Sequence, residues 1–365
     1  MRRIVVKVGT TTLTAGTTHL NRQRMLAIGQ QIALLHQQHD EMVLVSSGAQ
    51  AAGRERLGFP DFGRSVPAKQ MLSAVGQGRL MHIYSEIFDY FDIIVAQVLL
   101  TRDDLSDRGR YLNARDTLQT LIERRIIPII NENDTVATNE IRVGDNDNLS
   151  ALVASVLEAD LLIILTDQTG VFTADPRQDK NAELIQQINR IDKQIYALAS
   201  DHGSGLGTGG MVTKLEAAQV ASRSGVTTVI AAGTEPDVLT RIVAGEQLGT
   251  RIEPTTTHLE SRKRWLLTDR VQGKVYIDDG AARVLRESGA SLLPVGIRNI
   301  DGQFSRGATL AIVSSQQETI AHGLTNYSSA ELAQISGKRS PEINTILGYS
   351  YGDHVIHRNN MVLLE

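Results

Sequence analysis

Through its first two-thirds the chain alternates short, continuous apolar runs with longer stretches whose apolar residues recur every three or four positions. The short runs fall at residues 4–8, 42–45, 93–100, 126–130, 161–165 and 226–231, and each has the length and side chains of a buried strand. Between them, residues 21–38 place Met25, Ile28, Ile32 and Leu35 on one helical face. Residues 67–90, 112–125, 148–157 and 210–224 read as further helices. Strands with no polar face, separated by helices, predict a parallel sheet covered on both sides. Ligands of such sheets gather at the carboxyl ends of the strands.

Polar and glycine residues fall at those ends. Gly9, Ser47-Gly48, Asn131-Glu132-Asn133-Asp134 and Thr166-Asp167 each follow a predicted strand. Any one of them is an ordinary turn residue, but four groups on one rim outline a site. Beyond Glu253 the pattern changes. Pro254-Thr255-Thr256-Thr257 closes a first domain of residues 1–257, and a linker of residues 258–269 carries the basic run Arg262-Lys263-Arg264. From residue 270 to 365, short apolar runs at 274–277, 292–297 and 310–313 alternate with glycine turns, which predicts a small β-rich domain.

Composition narrows the chemistry. The 365 residues are 41% hydrophobic and only 4% aromatic, so the core is built from aliphatic side chains. No apolar run reaches the roughly 18–20 residues that span a bilayer. A net charge of −4 gives no general attraction to nucleic acid or anionic lipid. Cysteine is absent, which excludes disulfides, thiolate nucleophiles and zinc–thiolate centres. Arg2 and Arg3 resemble the basic start of a signal peptide, but Lys7 interrupts the apolar run that follows, and a cytoplasmic setting is expected.

Three segments carry reactive potential. In Ser204-Gly205-Leu206-Gly207-Thr208-Gly209-Gly210-Met211-Val212-Thr213-Lys214, four glycines precede a helix. Such a loop turns successive backbone N–H groups into one anion-binding concavity, the helix N-terminus reinforces it, and Lys214 adds a full charge. The spacing is not that of a Walker A loop. A flexible surface loop is the plain alternative. Lys7, inside an apolar strand, needs a partner if buried; an edge-strand lysine reaching solvent is the alternative. Gly144-Asp145-Asn146-Asp147-Asn148 precedes a helix and exceeds what capping requires, although Asp147 or Asn148 can serve as its N-cap. Two lysines and a glycine nest suit phosphoryl transfer, which calls for positioning and charge neutralisation. No Gly-x-Ser-x-Gly elbow or paired histidine metal motif is present.

The ordered segments Val6-Lys7-Val8-Gly9-Thr10, Val45-Ser46-Ser47-Gly48-Ala49, Ile130-Asn131-Glu132-Asn133-Asp134, the cluster from Gly144 to Asn148, Leu165-Thr166-Asp167 and the run from Gly207 to Lys214 together resemble the bacterial glutamate 5-kinases of the amino-acid-kinase superfamily. Leu112-Asn113-Ala114-Arg115-Asp116, Thr173-Ala174-Asp175-Pro176-Arg177 and Ser305-Arg306-Gly307 extend the resemblance along the whole chain. It implies a three-layer αβα sandwich with a mainly parallel central sheet, followed by a PUA-like domain. It also implies transfer of phosphate from ATP, with Mg²⁺, to the γ-carboxylate of L-glutamate, the first step of proline synthesis.

By the same resemblance Lys7 and Lys214 stabilise the phosphoryl group, and Asp147 orients both. Ser47, Asp134, Asp145 and Asn146 hold glutamate. Lys7, Gly9, Thr10, Thr166, Asp167, Thr208, Gly209, Gly210, Met211, Val212, Thr213 and Lys214 line the ATP site. Proline as feedback inhibitor and a homo-oligomer, dimer or tetramer, are further family expectations. Thr169 departs from the family, many of whose members carry Lys beside the nucleotide, and the first loop is richer in Thr. Two other readings remain to be separated from this one. RNA binding through the last domain finds little charge to support it, with 9 Lys and Arg against 10 Asp and Glu in residues 268–365. The other reading is a different amino-acid kinase, acting on N-acetylglutamate, aspartate or UMP.

Overall fold

A computed structural model of the chain describes residues 1–59, 63, 65–137, 146–176, 178–200 and 210–364. Its contacts divide it into two units, residues 1–105 with 114–258, and residues 106–113 with 259–365.

In the first unit the strands are β1 (Arg3–Val8), β2 (Glu41–Ser46), β3 (Val95–Leu100), β4 (Ile127–Glu132), β5 (Leu161–Thr166), β6 (Gln187–Ile188), β7 (Thr227–Ala232) and β8 (Thr250–Ile252). They form one sheet in the order β3-β4-β2-β1-β5-β7-β8-β6, parallel throughout except where β8 runs against β7. The helices are α1 (Thr10–Thr14), α2 (Arg22–Gln37), α3 (Ala49–Arg56), α4 (Val66–Asp89), α5 (Arg102–Ser106), α6 (Arg108–Glu123), α7 (Asn146–Val156), α8 (Lys193–Ser200), α9 (Met211–Arg223), α10 (Val238–Val243) and α11 (His258–Thr268). The first turns of α6 belong by contacts to the second unit, and α11 runs into it.

Alternation along each strand sorts side chains into two cores. Ile4, Val6 and Val8 of β1, Met42 and Leu44 of β2, and Ile163 and Leu165 of β5 join Met25, Ile28 and Ile32 of α2 and Leu80, Tyr84 and Phe88 of α4 on one face. Val5, Val43, Val45, Leu162 and Ile164 join Leu149 and Val153 of α7 and Leu215 and Ala218 of α9 on the other. The result is the expected three-layer αβα sandwich. Lys7 has the parity of Val5 and so faces the layer that carries α7 and α9. Because β1 lies between β2 and β5, the edge-strand reading of Lys7 is wrong.

Two helices on the opposite face approach to backbone contact. A Cβ built on Gly53 of α3 would lie 1.9 Å from the carbonyl oxygen of Leu72, and one on Gly76 of α4 would lie 1.8 Å from that of Ala49. Only glycine permits this approach. Gly48, at φ +104°, turns the chain from β2 into α3.

Several predicted boundaries shift. The helix expected over 148–157 begins at Asn146, so Asp147 and Asn148 are helical rather than N-caps. First-turn N–H groups have no intrahelical partners, so polar residues are as welcome inside the first turn as before it. Asn131 and Glu132 complete β4 instead of following it, and Thr10 opens the short helix α1.

In the second unit β9 (Val271–Ile277), β10 (Ile297–Asp301), β11 (Thr309–Val313), β12 (Thr319–Leu324) and β13 (Met361–Leu363) form a sheet in the order β10-β9-β11-β12-β13. The β9–β11 pair is parallel and the others are antiparallel. Val275, Leu310, Ile312 and Tyr327 centre its core, with α12 (Asp279–Ser288), α13 (Ser329–Ile335) and α14 (Ile343–Leu347) around the sheet. Arg306 stacks over the Tyr351 ring at 3.7 Å and donates to Asn113, while Arg108 pairs with Asp269 at 3.1 Å. Among the described residues no helix is long and apolar enough to cross a membrane.

Candidate active site

One strand of the sheet and two helices of the layer that covers it bring three charged side chains together. Lys7 comes from near the carboxyl end of β1, Asp147 from the first turn of α7, and Lys214 from the first turn of α9. Lys7 Nζ lies 2.6 Å from Asp147 Oδ1, and Lys214 Nζ lies 3.2 Å from Asp147 Oδ2. Thr213 Oγ1 donates to the same Oδ2 at 2.8 Å. All three charged residues are buried. Burial pushes the Asp147 carboxyl up, but the two ammonium groups outweigh it and hold the group at about 2. Burial lowers the Lys214 pKa, Asp147 opposes that shift, and Lys7 adds to it. With both lysines protonated, the trio carries more positive than negative charge in a place where water screens little, which favours an incoming anion.

Beside the trio a second set forms a chain of hydrogen bonds. Asn146 Nδ2 donates to Ser47 Oγ and to Asn131 Oδ1, each at 2.9 Å. The backbone N–H of Glu132 donates to Asn131 Oδ1 at 2.9 Å and reaches Asn146 Oδ1 at 3.3 Å. Ser47 is held at the strand end by its own N–H, which donates to the Val8 carbonyl at 3.0 Å. Burial raises the Asp134 carboxyl above the ordinary range, with the Ser73 hydroxyl pulling it partly back. Ser47, Asn146 and Asp134 thus stand where the rim pattern places them. Asp145 lies outside the described residues.

The expected nucleotide side is described in part. Gly9 caps α1, and a Cβ there would sit 3.4 Å from Lys7 Nζ, so the lysine folds close over its backbone. Thr10 begins α1 and is exposed. Thr166 ends β5, and its hydroxyl donates to Asp167 Oδ1 at 3.0 Å. Asp167 also acts on Lys214 through space. Gly210 is the N-cap of α9 and, as a glycine, brings no side chain to the helix's first N–H groups. Met211, Val212 and Thr213 follow in its first turn, Thr213 turned inward to Asp147. Thr208 and Gly209 lie outside the described residues.

Sequence reasoning passed over the inner face of α4. Gln77 Oε1 accepts from Asn131 Nδ2 at 2.8 Å, the Ser73 hydroxyl acts on the Asp134 carboxyl, and Gln70 Nε2 donates to the carbonyls of Thr135 at 3.2 Å and Ala137 at 3.4 Å. The available signal was three polar residues at i, i+3 and i+7 in a helix otherwise apolar on that side.

The chain matches the model of the amino acid kinase family over residues 2–232 and that of the PUA domain over residues 273–347. It is 56% identical over 361 residues to a glutamate 5-kinase of Herpetosiphon aurantiacus, covering 99% of this chain and 98% of the relative. A glutamate 5-kinase of Shewanella oneidensis is 51% identical over 364 residues, covering 100% and 98%. One of Deinococcus radiodurans is 49% identical over 362 residues, covering 99% and 100%.

Proposed function

The chain belongs to the amino acid kinase family, and we propose that Lys7, Asp147 and Lys214 form the phosphoryl-transfer centre of its site, with Ser47, Asn146, Asn131 and Asp134 holding the acceptor. The reaction is that of the glutamate 5-kinases. ATP and L-glutamate give ADP and L-glutamyl 5-phosphate, the first step of proline biosynthesis.

The observation that carries the assignment of roles is the shared carboxylate between two buried lysines. Glutamate's γ-carboxyl group is ionised at neutral pH, with an intrinsic pKa of about 4.3, so no general base is needed. One of its oxygens attacks the γ-phosphorus. The new bond is carboxylate oxygen to phosphorus, and the bond broken is the one from phosphorus to the β,γ-bridging oxygen, whose electron pair leaves on ADP. The difficulty is repulsion between two anions, and two ammonium groups reduce it where low screening makes each charge count. Asp147 pairs with both ammonium groups and aims them while remaining ionised itself. Ser47 and Asn146 supply hydrogen bonds for a carboxylate, and Asp134 supplies charge for an ammonium group. The first N–H groups of α9, capped by a glycine that has no side chain to offer them, suit the nucleotide's phosphates.

Mg²⁺ fits this centre as an ion that arrives with the nucleotide. Among the described residues no group of three His, Asp or Glu side chains could form a cage, and both Asp147 oxygens already face lysines. The phosphate oxygens would hold the ion, and it would neutralise part of their charge. Asp145, Thr208 and Gly209 complete the proposed site by family resemblance. Proline competing at the acceptor side, a homo-oligomer and a cytoplasmic setting belong to the same reading as family expectations.

The test is ATP-dependent formation of an acyl phosphate, trapped with hydroxylamine as the hydroxamate. Glutamate should give product, and N-acetylglutamate and aspartate should not. Hydroxamate from either of the latter in preference to glutamate would overturn the acceptor assignment.

A further inference from the structure

The polar stripe of α4 has no role in the chemistry described so far. Its neighbours on the inner side, Leu72, Leu80, Ile83, Tyr84 and Ile87, are buried and apolar. Gln77 stands out among the three polar residues, because it ends the hydrogen-bond chain that reaches Ser47.

The direction of that chain is fixed at its centre. The backbone N–H of Glu132 can only donate, and it faces the oxygens of both Asn131 and Asn146. Asn131 must therefore turn its Nδ2 outward, and an acceptor is needed there. Gln77 Oε1 provides it at 2.8 Å. At the other end Asn146 Nδ2 donates to Ser47 Oγ, so the serine oxygen is an acceptor toward the protein and its proton is left for a ligand. An acceptor ligand, such as a carboxylate oxygen, is what that proton fits.

Gln77 carries a penalty that clarifies its function. Its Nε2 is buried and has no hydrogen-bond partner among the described residues. An unpaired buried donor is unfavourable. An apolar side chain of similar length would fill the same space without it, so packing alone does not explain the amide. Its oxygen does.

We propose that Gln77 is a positioning residue for glutamate: by accepting from Asn131 it fixes the orientation of the Asn131–Asn146 pair and keeps the Ser47 hydroxyl a donor to a substrate carboxylate. The proposal rests on the reading of this rim as the glutamate site.

The test is steady-state kinetics on the full-length enzyme with Gln77→Met, Asn131→Ala and the double variant, each with a thermal midpoint. Gln77→Met should raise the glutamate KM about tenfold, the effect of one lost buried hydrogen bond. The ATP KM and the thermal midpoint should stay near wild type. In the Asn131→Ala background Gln77→Met should add nothing, because the partner it acts through is gone. Multiplying effects, or equal rises in the KM for ATP and glutamate, would overturn the proposal. A rise with Asn131→Ala and none with Gln77→Met would overturn it while leaving the glutamate site in place. An unchanged glutamate KM in Asn131→Ala would remove the site reading and the proposal with it. Gln77→Leu, read the same way, serves if the methionine variant does not fold.

Discussion

Lys7 Nζ and Asp147 Oδ1 lie 2.6 Å apart with almost no exposure on either side chain. The same carboxylate holds Lys214, so removing it strands two buried ammonium groups. Asp147→Asn should destabilise the protein by about 3–5 kcal/mol at neutral pH, as expected when a buried ion pair loses one partner. The native carboxyl is depressed from 3.8 to about 2, so its contribution is complete above the unfolded value and fades as pH falls through the folded one. The stability gap between wild type and Asp147→Asn, measured by denaturant unfolding, should hold between about pH 5 and 7 and narrow as pH falls toward 2. A gap independent of pH would contradict the ion pair as its source.

Lys214 should matter chiefly to turnover. Lys214→Ala removes charge from the transferring group, and kcat should fall by about 10²–10³-fold with little change in the glutamate KM. Because burial lowers the Lys214 pKa, its charge is lost at a lower pH than that of an ordinary lysine, and kcat/KM should decline on the alkaline side accordingly. Lys214→Arg, slower but permanently charged, should lose that decline. An alkaline limb unchanged in the arginine variant would assign it to another group.

Asp134 predicts the acid side. Its carboxyl is raised by burial and pulled back by Ser73. Protonation therefore begins at a higher pH than for a free aspartate, and the glutamate KM should rise as pH falls into that range. Ser73→Ala removes the restraining hydroxyl and should move the rise to higher pH. Asp134→Asn should bind glutamate weakly at every pH and show no such rise. Coincident profiles for wild type and Ser73→Ala would refute the coupling.

Gly76→Ala tests the helix contact beneath the acceptor side. A methyl group 1.8 Å from the Ala49 carbonyl forces α3 and α4 apart. The penalty should reach about 1–3 kcal/mol or more by the usual cost of overpacking. Ser47 stands just before α3 and Gln77 lies next to Gly76, so the glutamate KM should rise as the thermal midpoint falls, with the ATP KM less affected. A variant as stable as wild type would mean the helices can separate freely.

Much of the first unit was legible because its strands are apolar throughout. Residues 4–8 and 161–165 read as strands from their apolar runs, and the rim residues follow from their ends. Lys7, Ser47 and Lys214 were visible as polar or charged side chains in places that call for a partner. The pairing of Lys7 and Lys214 through Asp147 was legible only through the family resemblance, since it depends on three elements far apart in sequence meeting where α7 and α9 cover β1. Asp147 or Asn148 reads as a candidate N-cap from sequence because helix starts and first turns favour the same polar side chains. Gln70, Ser73 and Gln77 escaped notice because glutamine and serine on a long helix usually face water. Their inward direction is set by α4 packing across β4, which local spacing does not reveal. In the second unit glycine turns gave the β character, while α12 and α13 went unseen among short runs.

The alternation along β1 makes the reaction a matter of odd and even numbers. Insert one residue between Ile4 and Lys7, and the strand remains apolar, parallel and central. The ammonium group, however, now enters the layer of α2 and α4, among Met25, Ile28 and Leu80 and away from Asp147. Loops around the rim can change length and keep their chemistry within reach. This strand has no such latitude, and a length change of one would abolish turnover through a chain that still builds the sheet.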